Sequence, residues 1–152
     1  MSGVSPSMTI KNLAGRRVGI VSSRWHAEIC EALVEGSRRA LKEANITDIE
    51  LRYVAGSFEI PLMAKRMLDK GCDAVIALGL VLRGETPHFD YVCQGVTNGV
   101  MKVMLKTGKP IGFGVLMCDS LDQAIARSGV SGSKEDKGYD ATLAALDLIE
   151  SR

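Results

Sequence analysis

The chain has 152 residues, and its 19 lysines and arginines against 18 acidic residues leave a formal net charge of +1. With no block of like charge, nucleic acid and anionic membrane are not expected as partners. Hydrophobic residues make up 46%, aromatics only 5%, and there are 16 glycines, which fits one aliphatic α/β domain with tight turns and leaves no length for a second.

Residues 1–14 carry no periodic pattern and are read as a flexible segment ahead of a single domain at 15–152. The start lacks the basic residues and apolar run of a signal peptide, and no later stretch stays apolar long enough to span a bilayer, so a cytoplasmic protein is expected. The run at 17–22 predicts a first strand, and Cys30, Leu33, Val34, Ser37 and Leu41 follow at helical spacing. A second strand is predicted at 49–54, a turn at Gly56 and Ser57, and a second helix with Ile60, Met63, Ala64, Met67 and Leu68 on its inner face, ending at Gly71. The third strand, 74–82, is apolar without interruption, as a central parallel strand buried on both faces should be. Val92, Val96, Val100 and Val103 mark the next helix, 111–117 a fourth strand, 121–128 a short helix, and 139–149 a final one after a loop at 129–138. Leu143, Leu146 and Ile149 share one face of that last helix, and Ala144, Ala145 and Leu148 widen it beyond what a monomer needs.

Four strand-helix alternations predict a three-layer αβα sandwich around a four-stranded parallel sheet, flavodoxin-like in layout. Ligands in such sheets bind outside the carboxyl ends of the strands. The segments to watch are therefore 23–26, 56–59, 80–88 and 113–119. Cys30, Cys72, Cys93 and Cys118 are far apart, form no Cys-x-x-Cys pair, and have only His26 and His88 to join them. Reduced, mostly buried thiols are the expected state; spacing gives a zinc site no support, although one assembled from distant positions stays open.

The densest signal is Leu78-Gly79-Leu80-Val81-Leu82-Arg83-Gly84-Glu85-Thr86-Pro87-His88-Phe89-Asp90-Tyr91-Val92-Cys93. It reads as a buried strand end, a glycine turn, and a helix capped by Thr86 with Pro87 in its first position, where proline's missing N–H costs nothing. His88 then stands at a helix N-terminus, whose free N–H groups and dipole favour phosphate or carboxylate. A proton carrier beside an anion cradle has the composition of an active site. Histidine suits that work because its ordinary pKa lies near 6.5. Taken alone, Glu59, Arg127 and Lys137 would be ordinary helix-end charges, Trp25 a core or interface aromatic, and His26 a loop or helix-start residue.

Together with Gly56-Ser57-Phe58-Glu59-Ile60-Pro61, Phe113-Gly114-Val115-Leu116, Asp122-Gln123-Ala124-Ile125-Ala126-Arg127-Ser128-Gly129 and Asp136-Lys137-Gly138, that motif resembles the lumazine synthase family, in order from about residue 15 onward. Ser23-Arg24-Trp25-His26 is similar to the family's first active-site loop. The resemblance implies condensation of 5-amino-6-(D-ribitylamino)uracil with 3,4-dihydroxy-2-butanone 4-phosphate to 6,7-dimethyl-8-ribityllumazine in riboflavin biosynthesis, with phosphate released and neither cofactor nor metal required. It implies a catalytic His88 and a Trp25 stacked on the pyrimidine. Ser57, Phe58 and Glu59 would line the pyrimidine and ribityl site, with the Val81 and Leu82 backbone pairing with the ring edge. Gly84, Glu85 and Thr86 would offer N–H groups to the phosphate, countered by Arg127. Family sites form between subunits, so Phe113, Arg127 and Lys137 would enter from the adjacent chain. Leu80 stands where threonine is frequent, and Met117-Cys118 replace a usual hydroxyl pair, so substrate contact from those side chains is not expected. The loop 128–136 is longer than in members that build icosahedral cages, which favours a homopentamer. Three rivals share features of this chain: the metal-dependent archaeal-type riboflavin synthase, a flavodoxin-like binding module without turnover, and a structural shell protein. The His88 motif argues against the first, and fold alone does not separate the others.

Overall fold

A computed structural model of the protein describes residues 3–149, so positions 1, 2 and 150–152 of the expected 1–14 and 15–152 segments lie outside the described residues. Four strands, β1 (Arg17–Ser23), β2 (Asp48–Val54), β3 (Ala74–Leu82) and β4 (Ile111–Cys118), form one wholly parallel sheet in the order β2-β1-β3-β4. Among the described residues, five α-helices connect or follow them, α1 (Ala27–Glu43), α2 (Ile60–Asp69), α3 (His88–Thr107), α4 (Leu121–Ile125) and α5 (Lys137–Leu148), with a single 3-10 turn at Ser57–Glu59 ahead of α2. The three-layer sandwich read from the sequence is the observed architecture. β1 and β3 occupy the middle of the sheet and are buried along nearly their whole length, which is why their sequences do not alternate.

α1 and α5 pack together on one face, α2 and α3 on the other. The first face is built on close backbone approach. Gly138 of α5 meets the Leu33 carbonyl of α1 so tightly that a methyl group would collide with it, and Gly36 is crowded by Asp136 and the Tyr139 amide. Buried Thr142 shares a 2.7 Å hydrogen bond with Ser37 Oγ and donates to the Gly138 carbonyl, so the small-residue seam carries no stranded hydroxyl. The buried stripe of α5 is Gly138, Ala141, Thr142, Ala145 and Leu146, while Leu148 is 61% exposed and Ala144 is also exposed, so the apolar face of this helix extends past what the chain itself buries.

Element ends moved by a turn at most, each for a local reason. α4 stops at Ile125 because Ser128 pairs in an antiparallel bridge with Asp136, pulling the chain out of helix and closing the intervening loop. α5 begins at Lys137 because Asp136 Oδ1 accepts the Tyr139 N–H at 3.2 Å. Ahead of β1, Lys11 Nζ donates to the carbonyls of Asp147 (2.7 Å) and Ile149 (3.2 Å), and Leu13 is buried in the core beneath α1.

Candidate active site

The carboxyl ends of β1, β2 and β3 open into a cleft of about 780 Å³. Three walls define it. The loop after β1 supplies Trp25, the turn after β2 supplies Gly56, Ser57, Phe58 and Glu59, and the end of β3 with the start of α3 supplies Val81, Leu82, Gly84, Thr86 and His88. Nine of the residues expected at the site thus converge: Trp25, Ser57, Phe58, Glu59, Val81, Leu82, Gly84, Thr86 and His88.

Trp25 is 65% exposed, yet its main chain is pinned: its N–H donates to Ser23 Oγ at 3.1 Å and its carbonyl accepts Cys30 Sγ at 3.2 Å. His26, next in sequence, takes φ 53° at the start of α1, a left-handed conformation costly for a residue with a side chain. That turn presents the indole at the cleft rim, against Gly56, where any side chain would crowd the ring. Glu59 Oε2 accepts the Gly56 N–H at 2.9 Å, so its carboxylate braces the 56–59 turn as well as facing the cleft. Ser57 lines the cleft, and its buried hydroxyl lies beside Gly79 of β3 with no hydrogen-bond partner among the described residues. Phe58 lies against Gly95 of α3, and Pro61 against Gly99, so two glycines one helical turn apart receive the rings of the facing element.

At the β3-α3 junction, Thr86 Oγ1 accepts the His88 N–H at 3.4 Å, and Pro87 adopts helical angles while ordered helix begins at His88. The N-cap is therefore Pro87 rather than the expected Thr86, whose hydroxyl makes only this local contact across the turn, and the helix starts one residue later than expected. His88 is exposed. Gly84 has neither a positive φ nor a neighbour near its missing side chain, so packing does not explain a glycine there; open space against bare backbone is what an approaching anion requires.

Phe113, Arg127 and Lys137 are not part of this cleft. Phe113 is 41% exposed on edge strand β4, and Arg127 and Lys137 line a separate polar hollow with Lys134 and Glu135. There Arg127 Nε lies 3.6 Å and Lys137 Nζ 3.4 Å from Glu135 carboxylate oxygens. Glu85 is exposed in the turn beside the cleft without lining it. The sequence reading gave no role to His26, Ala55, Leu80, Phe89, Tyr91 or Val92, which also line the walls. Phe89 and Tyr91 stood inside the quoted motif; their place in the first turn of a helix aimed at the cleft was the available signal. Leu80 is 3% exposed and belongs mostly to the core.

A parallel α/β sheet, a mixed apolar and polar cleft at its carboxyl edge and a histidine at a helix N-terminus define an enzyme that handles an anionic small molecule. Residues 15–152 match the family model for 6,7-dimethyl-8-ribityllumazine synthase. The 6,7-dimethyl-8-ribityllumazine synthase of Streptomyces coelicolor is 50% identical over 96% of this chain and 91% of its own length. The same enzyme of Streptomyces avermitilis is 48% identical over the same shares, and that of Paenarthrobacter aurescens 53% identical over 86% of this chain and 80% of its own. The chain belongs to the 6,7-dimethyl-8-ribityllumazine synthase family, and its activity is that of a transferase in riboflavin biosynthesis. Among solved structures, a GDP-L-fucose synthetase from Naegleria fowleri aligns with a TM-score of 0.47 and 14% identity over 97% of this chain and 47% of that one, too weak a likeness to bear on the chemistry.

Proposed function

We propose that the cleft binds 5-amino-6-(D-ribitylamino)uracil between Trp25 and the 56–59 turn and the butanone phosphate at the 84–86 turn, with His88 carrying protons between them. The family's reaction sets the demands. An amine attacks a ketone, water leaves to give an imine, phosphate is eliminated, and a second amine-carbonyl condensation closes the ring. Each step moves a proton near neutral pH, and an exposed imidazole at the helix start can take one and return it. Backbone N–H groups at the end of the helix dipole hold the phosphate dianion and stabilise it as it leaves. Holding two reactive molecules together supplies much of the rest, since favourable effective molarity contributes several kcal/mol.

The observation that carries this reading is the convergence of Trp25, Glu59, Gly84 and His88, from three separate segments, on one cleft. Within the reading, Phe113, Arg127 and Lys137 serve the cleft of an adjacent subunit, which is supported by their position outside their own chain's cleft. A homopentamer is the assembly we favour over an icosahedral cage. Residues 15–152 act as one functional domain. A cytoplasmic location accompanies the assignment, supported by four cysteines that are all free thiols.

The test is lumazine formation, followed by absorbance, with chelator and with His88→Ala. Metal-independent product at a rate reduced about 10²-fold in the variant, with the pyrimidine still bound, is expected. Binding without acceleration by the unaltered protein would favour a non-catalytic flavodoxin-like module instead.

A further inference from the structure

We propose that Arg83 is a positioning residue, a clasp that fixes the first turn of α3 and thereby aims His88. The inference rests on the assignment of His88 above and adds a residue whose side chain does not line the cleft.

Arg83 follows the last residue of β3 and precedes the turn at 84–87. That turn has little to hold it: Thr86 Oγ1 reaches the His88 N–H only at 3.4 Å, and residues 83–88 are all exposed. Arg83 bridges it from end to end. Its backbone N–H donates to the Cys118 carbonyl at 3.0 Å, fixing the residue to the end of β4. Its Nε donates to Asp119 Oδ1 at 2.6 Å, its Nη1 lies 3.5 Å from Asp90 Oδ1, and its guanidinium carbon sits 4.3 Å from the centre of the Phe89 ring. Phe89 and Asp90 are the two residues after His88, so the clasp grips α3 immediately beside the imidazole.

An exposed ion pair taken singly holds little. Here one guanidinium meets two carboxylates through different nitrogens and an aromatic ring through its central carbon, an arrangement that suits arginine and that lysine cannot reproduce. With both carboxylates engaged, the guanidinium is already neutralised, so it is poorly suited to serve as a further phosphate ligand. Its remaining consequence is geometric: the turn that offers its backbone to an anion and the helix that carries His88 are held at a fixed angle to the sheet.

The test measures kcat and the KM of each substrate for Arg83→Ala, Arg83→Lys and Asp119→Asn, in the unaltered protein and in His88→Ala, with thermal unfolding recorded for every variant. Arg83→Ala should lower kcat about tenfold while leaving the pyrimidine KM unchanged, since small misplacements of a reacting group are costly in rate. Arg83→Lys should recover part of the loss, and neither change should slow His88→Ala further. Asp119→Asn leaves the arginine and its packing in place, so it reads the same effect if Arg83→Ala fails to fold. Unchanged kcat in Asp119→Asn and a folded Arg83→Ala, or an equal loss with and without His88, would overturn the clasp. A raised butanone phosphate KM at constant kcat would overturn it too, making Arg83 a ligand. Full turnover by His88→Ala would instead remove the His88 assignment on which the clasp depends.

Discussion

The two faces of the sheet are finished to different degrees. On the α1-α5 side, glycine and alanine let helix backbones touch, and a shared hydroxyl pair closes the seam. On the α2-α3 side the core beneath is equally dry, but the outer surfaces remain apolar: Leu62 is 57% exposed, Met101 52% and Leu105 77%. The α1-α5 face is closed by backbone contact and exposes Leu148 near its end, whereas the other carries the cleft wall and the exposed Leu62, Met101 and Leu105. Stability is thus concentrated on one side, and recognition on the other.

The comparison breaks most sharply at Gly138. Gly138→Ala drives a methyl group into the Leu33 carbonyl, where neither helix backbone can yield cheaply. A loss of about 3 kcal/mol is expected, lowering the melting temperature by roughly 10 °C in a domain of this size. Calorimetry checks it. The same face holds Cys30, whose thiol burial pushes up from 9.0 to about 11. A folded chain therefore keeps a proton that the unfolded chain releases, so this contribution is complete below pH 9 and is lost as pH rises through 11, by about 2–3 kcal/mol. Denaturant midpoints across that window should fall in the unaltered protein and fall less in Cys30→Ala.

Changes on the second face should register in function rather than in folding. Gly95→Ala places a methyl group where the Phe58 ring lies. The gain in helix propensity, about 1 kcal/mol, offsets much of the crowding cost, so the melting temperature should hold nearly constant while the pyrimidine KM rises about tenfold. Steady-state kinetics beside thermal unfolding separates the two. The smallest change in folding belongs to Leu105→Glu, within about 0.5 kcal/mol because the side chain is largely exposed. If that surface joins subunits, sedimentation will show the assembled mass falling in a variant whose far-ultraviolet spectrum is unaltered.

Strand positions, the inner faces of α1 and α2 and the junction at His88 were legible because each is written locally, whereas the order β2-β1-β3-β4 is not. Uninterrupted apolar runs mark strands buried on both sides, and Thr86-Pro87 marks a helix start. The buried stripe of α5 is led by small residues whose inward position depends on tertiary contact: Gly138 against the Leu33 carbonyl, and Ala141 against Gly112 and Gly114 of β4. The inward turn of the Ser57 hydroxyl has no signature in sequence at all, since it depends on the bare backbone of Gly79 lying beneath it. Arg83 stood inside the motif, but its partner Asp119 lies in the bend just past β4, a pairing that no local pattern records.

The placement of β1 and β3 in the middle of the sheet also sets a hierarchy of lifetimes. Amides of Ile20, Ile76 and Leu78, flanked by strands on both sides and covered by helices, are expected to exchange with deuterium only when the whole domain opens. The 84–87 turn extends from β3 but lies in water, so its amides should exchange orders of magnitude faster. The protein thus mounts its fastest-opening segments directly on its slowest, and a ligand that quiets the rim should leave the exchange of the central strands unmoved until the protein unfolds.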